Sequence, residues 1–168
     1  MNRLYILAFF ILLIQNVKAN DNLAVVPGPT VKGAASEKEL STLIFEAIKN
    51  NQFESLQNYI PAENELEYLR ATSTEKNKPL FENLQPDKLN VYTRRNFDLV
   101  IQKGIENNIN WSSTQLIDYQ TRQCSIEKIG CKVFITIQDA VGKSVSLSYD
   151  IININDKWFL FQGMRTES

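Results

Sequence analysis

The chain has 168 residues, 43% of them apolar, with 18 basic against 19 acidic side chains. That is long enough for one domain with a real core. The near-balance of charge, with no basic run, excludes a surface built for nucleic acid or anionic lipid. Histidine is absent, which removes the commonest general base and the commonest metal ligand together.

Met1-Asn2-Arg3 is a basic head, and Leu4 to Ile14 is an unbroken apolar run. Val17-Lys18-Ala19 then places small residues where a signal peptidase reads. Residues 1–19 therefore read as a secretory signal peptide cleaved after Ala19, which would export the chain to a periplasm or outside the cell. The competing reading is a retained membrane anchor, but a span needs about twenty apolar residues. No cysteine follows the run, which argues against bacterial lipidation. Residues 20–35 hold Pro27-Gly28-Pro29 and Gly33-Ala34-Ala35. Proline bars helix and glycine adds freedom, so this reads as an extended arm or linker. Leu23, Val25 and Val26 would let part of it lie as an edge strand.

A single domain is expected over 36–168. Ser36-Glu37-Lys38-Glu39 is a capping box, with the Ser36 hydroxyl accepting from the Glu39 amide and the Glu39 carboxylate reaching back to Ser36. The helix after it carries Leu40, Leu43, Ile44, Ala47 and Ile48 on one stripe and ends at Asn50-Asn51. Phe53, Leu56 and Ile60 mark a second short helix stopped by Pro61. Ala62 to Ala71 holds a further turn or two with Leu66 and Leu69 inward, and Thr72 to Pro79 reads as a loop. Pro86 and Asp87 open a longer helix in the manner of a first turn. Its apolar stripe is Leu89, Tyr92, Phe97, Val100 and Ile101, and Gly104 reads as a point of close helix–sheet approach.

Four antiparallel strands should follow. The first, about Ser113 to Ser125, is irregular. In the second, Cys131, Val133, Ile135 and Ile137 alternate with Lys132, Thr136 and Gln138, with Phe134 the exception. The third alternates Val145, Leu147, Tyr149 and Ile151 with Ser144, Ser146, Ser148 and Asp150. Gly142 lies in the turn between them. The phase breaks at Ile151-Ile152, which predicts a β-bulge. Asn155-Asp156 is a tight-turn signal. In the closing strand Trp158 and Leu160 face one way, and Phe159 and Phe161 the other. Such a strand wants cover on both faces. One cover is the helical layer; the other is a partner chain or the N-terminal arm.

Leu43-Ile44-Phe45-Glu46-Ala47-Ile48-Lys49-Asn50-Asn51-Gln52-Phe53-Glu54-Ser55-Leu56 resembles the opening of the nuclear transport factor 2-like superfamily, within the broader cystatin-like fold. Asn155-Asp156-Lys157-Trp158-Phe159-Leu160 resembles that superfamily's final hairpin. The likeness spans Ser36 to Met164 and is one of element order. It implies an α+β fold in which N-terminal helices pack on a curved four-stranded antiparallel β-meander, forming a cone whose mouth often holds a ligand. Isomerases, polyketide cyclases and dehydratases share that fold with non-catalytic binding and assembly domains, so fold alone gives no activity.

The resemblance sets two expectations. One is an exported, non-catalytic domain that binds a small apolar molecule or a protein partner, with a homodimer formed through the sheet as one form of the latter. The other is a cofactor-free isomerase, cyclase or dehydratase using a buried carboxylate and tyrosine. The residue types for the second are Asp98 and Tyr92 on the long helix, with Tyr119, Tyr149 and Asp150 on the strands. Six positions separate Tyr92 from Asp98, which puts them on different sides of a helix. The bland reading makes the tyrosines core residues and leaves Asp98 solvated. No glycine-rich phosphate loop, Gly-x-Ser-x-Gly elbow or His-Glu-x-x-His run occurs, so no cofactor and no metal is expected.

Cys124 and Cys131 flank a hairpin connection, where facing strands bring side chains within disulfide reach. Their spacing is not Cys-x-x-Cys, so a structural disulfide is preferred over redox chemistry. A metal site is disfavoured with two thiols and no imidazole. Asn110-Trp111-Ser112 fits a glycosylation sequon, relevant only in a eukaryotic secretory pathway.

Overall fold

A computed structural model describes residues 32–124 and 129–167. The signal segment, its cleavage site and arm residues 20–31 lie outside the described residues, as do four residues of the first hairpin connection. Among the described residues four α-helices precede a four-stranded antiparallel sheet of order β1-β2-β3-β4, an α+β fold. The helices are α1 (Glu37–Asn50), α2 (Glu63–Thr72), α3 (Lys78–Glu82) and α4 (Pro86–Glu106), with 3-10 turns at Phe53–Tyr59 and Trp111–Ser113. The strands are β1 (Gln115–Arg122), β2 (Gly130–Gln138), β3 (Ser144–Ile154) and β4 (Lys157–Glu167).

Local chemistry explains the boundaries. Ser36 Oγ accepts from the Glu39 amide at 3.1 Å, as its box requires. The Glu39 carboxylate, however, takes the Ala35 amide at 2.8 Å rather than that of Ser36. Asn51 closes α1 in the left-handed conformation, which asparagine tolerates. Asn155 and Asp156 both have positive φ, 50° and 60°, the backbone of a two-residue hairpin turn. Gly104 is fixed by packing: a Cβ there would lie 2.0 Å from the Trp111 ring. The close approach is thus to the 3-10 turn after the helix, where Trp111 Nε1 donates to the Ile101 carbonyl at 3.1 Å.

The sheet has two covers. On one face α1, α4 and the first 3-10 turn bury Val133, Ile135, Ile137, Leu147, Tyr149, Ile151 and Leu160 against Leu40, Ile44, Ile48, Phe97 and Val100. On the other, α2 and α3 bring Leu66, Leu69 and Phe81 onto Ile152, Ile154 and Phe159. The second cover therefore comes from the chain's own helices together with the end of the N-terminal arm, where Gly33 lies against the Phe159 ring. It includes α3, where the sequence reading had only a loop up to Pro79. It also replaces the bulge expected at Ile151-Ile152. The β2–β3 register runs unbroken through Cys131↔Ile151 and Gly130↔Ile152. Ile152 and Ile154 simply point to the face that α2 and α3 make apolar. The irregularities lie in the β3–β4 pairing instead, between Ser148 and Ile151, where β4 takes up extra residues around Phe161 and Gly163.

Two further expectations need correction. Tyr92 is not on the buried stripe of α4; it is 48% exposed. Trp158 is only half-buried, at the start of β4, where Ala34 forms a bridge to it. Phe159, on the opposite face, is 2% exposed. Phe159→Ala should therefore cost about 3–5 kcal/mol through lost transfer energy and a cavity, and Trp158→Ala clearly less. Urea melts of the two variants check this; a Phe159→Ala loss at or below that of Trp158→Ala would contradict the second core.

Candidate functional site

Polar side chains meet burial in one place and an apolar groove in another. The first lies under α1, on the face that α1 and α4 cover. Register places Tyr119 opposite Ile135, and Thr121 opposite Val133, which in turn faces Tyr149. These side chains share a face and point at the first turn of α1. There Glu37 Oε2 accepts from Thr121 Oγ1 at 2.7 Å and from the Tyr119 hydroxyl at 3.1 Å, and the two hydroxyls are 2.6 Å apart. Burial, with the Glu37 carboxylate beside it, raises the Tyr119 pKa.

This cluster converges, but on itself. The carboxylate already receives two protons and the hydroxyls already serve it. The result is a clasp between the start of α1 and β1 rather than a base aimed at a space. Tyr149 is fully buried, and its hydroxyl makes no hydrogen bond. The Ser41 hydroxyl lies near it but gives its own proton to the Glu37 carbonyl at 2.8 Å. Burial pushes the Tyr149 phenol far up. Asp98 lies elsewhere, solvated and 3.6 Å from Arg94 on the outer side of α4, the same helix that carries the exposed Tyr92. Asp98 and Tyr92 thus stand outside the buried cluster that holds Tyr119 and Tyr149. Glu37 and Thr121 were missed because helix capping accounted for the first and the loosely read β1 register hid the second.

The second place is a groove of about 420 Å³ between α3 and the opposite sheet face. That volume is in the range of small-molecule sites, roughly 300–1,000 Å³. Leu80 and Phe81 of α3 form one wall; Ile152 and Phe161 form apolar sheet surface against them. Phe81 meets Phe161 edge-on at 6.3 Å. Leu80 is 66% exposed, an apolar side chain at the rim with no core to explain it. The polar end carries Lys132, Asp150, Gln162 and Gln123. Lys132 and Asp150 are register partners on β2 and β3, and Lys132 Nζ donates to Asp150 Oδ1 at 2.7 Å. Strand alternation had already put both on the polar face. Their pairing follows from the register, and their place in a groove follows from α3. Among the described residues no cluster of three or more His, Cys, Asp or Glu side chains is arranged to hold a metal.

Cys124 and Cys131 are disulfide-bonded, which is compatible with an oxidising, exported setting. They are not direct register partners. The β1–β2 pairing continues Arg122↔Lys132, which would set Gln123 against Cys131. Gln123 has φ 51°, and this left-handed residue turns the chain so that Cys124 reaches the bond. The linkage stands beside the groove, whose lining includes Gln123, Ile129, Gly130 and Cys131.

Cys124→Ser, at the exposed end of the bond, should cost about 2–3 kcal/mol on the chain-entropy account, read from denaturant melts. An unchanged midpoint would mean the cross-link constrains nothing. For Tyr149, the sign follows from burial. Its folded pKa is raised above the ordinary 10.0. The stability this gives is whole below that value and is lost as pH climbs past it toward the folded value. Tyr149→Phe should keep stability at neutral pH or gain up to about 1 kcal/mol, since no hydrogen bond is broken. Above that ordinary value the variant should lose less stability than the parent. A large loss at neutral pH would show that the hydroxyl has a partner. No protein-family model matches the chain, and no curated protein matches it in sequence.

Proposed function

We propose that the chain is an exported, non-catalytic binding domain of the nuclear transport factor 2-like type, whose ligand is a small, largely apolar molecule seated between α3 and the sheet. The observation that carries this is the groove itself: an apolar trough closed by the chain's own helix, with the exposed Leu80 at its rim. An apolar body laid there covers surface that water otherwise wets, at about 25 cal/mol per Å². The disulfide supports the exported setting, in line with the basic head and apolar run at the start of the sequence. A protein partner or second copy on the open part of the sheet is the competing occupant.

The alternative, a cofactor-free isomerase, cyclase or dehydratase, is supported by the 3.1 Å contact of Glu37 with Tyr119. It is the weaker reading because those groups satisfy each other. Titration with the neutral dye Nile red decides between occupants. The dye should bind with a blue-shifted emission, and Leu80→Asp should weaken it by at least about tenfold, the worth of one leucine contact, without changing the fold. Dye binding that Leu80→Asp leaves untouched would overturn the groove as the site. A dimer on a sizing column that Nile red does not perturb would favour the sheet partner.

A further inference from the structure

Building on that reading of the groove, we infer that its ligand carries an uncharged head that both donates and accepts hydrogen bonds, such as a hydroxyl or carboxamide, and that Lys132 and Asp150 together select it. The pair closes the polar end of the trough as a donor and an acceptor side by side. Lys132 Nζ stands 2.7 Å from Asp150 Oδ1, with side chains 20% and 36% exposed. An ammonium has three protons; Asp150 takes one of them, and the Glu167 carboxylate lies within electrostatic reach without a hydrogen bond to it. A carboxylate has more lone pairs than one proton fills. Each partner therefore keeps capacity for a ligand. Gln162, the β4 partner of Asp150, adds an amide that donates and accepts as well.

Charge decides the class of head. A carboxylate drawn to Lys132 must sit beside Asp150, and an ammonium drawn to Asp150 must sit beside Lys132. In a partly desolvated groove like charges at that range repel strongly. A neutral head meets both partners without that cost, so the ion pair works as a filter against ions of either sign. The backbone is shaped to hold the filter. Gly163 has φ 76°, and a Cβ on it would stand 2.5 Å from Asp150 Oδ2. Glycine in the left-handed region leaves the carboxylate its space at the bulged part of β4.

The test is displacement of Nile red at neutral pH by decanol, decanoate and decylammonium, which share one apolar chain. On the parent protein decanol should displace the dye at a concentration about tenfold lower than either ion. Asp150→Asn should move decanoate ahead of decylammonium, and Lys132→Met should do the reverse, with thermal melts confirming that both variants fold. An ion that binds the parent as tightly as decanol, or an order unchanged by both substitutions, would overturn the filter. Displacement by none of the three, or displacement by all three unaffected by Leu80→Asp, would instead overturn the groove reading beneath it.

Discussion

The constraint on which the rest depends is that two neighbouring residues of β4, Phe159 and Leu160, are buried in opposite directions. Leu160 enters the core made by α1 and α4, and Phe159 enters the one made by α2 and α3. Successive strand side chains always point to opposite faces. A strand buried on both sides therefore needs two layers of cover, and this chain places helices on each face of its sheet's closing hairpin. The second layer is small. It covers the Ile152, Ile154 and Phe159 end of the face and leaves the polar Ser144 and Ser146 end of β3 outside it.

The groove is a consequence of that partial cover. Where α3 ends its contact with the sheet, apolar floor meets polar strand, and the border is a trough with Leu80 on one side and the Lys132–Asp150 pair on the other. The disulfide and the left-handed Gln123 stand beside it. The Glu37–Tyr119–Thr121 clasp does a different task under the first layer, tying the start of α1 to β1. Its groups are the chemically suggestive ones, yet they are arranged to satisfy one another.

Much of the α+β order was legible because it is local. The capping serine at Ser36, the proline at position 86 and the strand alternation of β2 and β3 each act within a few residues. What could not be read is long-range. The double-apolar Ile151-Ile152 looked like a phase break because sequence shows that a face turns apolar and not what covers it. Five-residue α3 has too few positions for a periodic signal. Trp158 shares a strand face with the buried Leu160, but Ala34 meets it at the sheet edge, and Phe159 is the deeper residue. Tyr92 and Asp98 had the residue types of a catalytic pair, but their six-residue separation already spoke against one, and both are exposed on α4. Glu37 carried no signal beyond that of a first-turn acid.

The central claim is that the ligand lies between α3 and the sheet rather than under α1. Amide chemical-shift mapping during a titration with decanol tests it most directly. The account predicts shifts clustered at Leu80, Phe81, Lys132, Asp150, Ile152 and Phe161, with Glu37, Tyr119 and Tyr149 unmoved. Shifts concentrated at Glu37, Ser41, Tyr119 and Tyr149 would place the ligand in the helix-covered interior and contradict it.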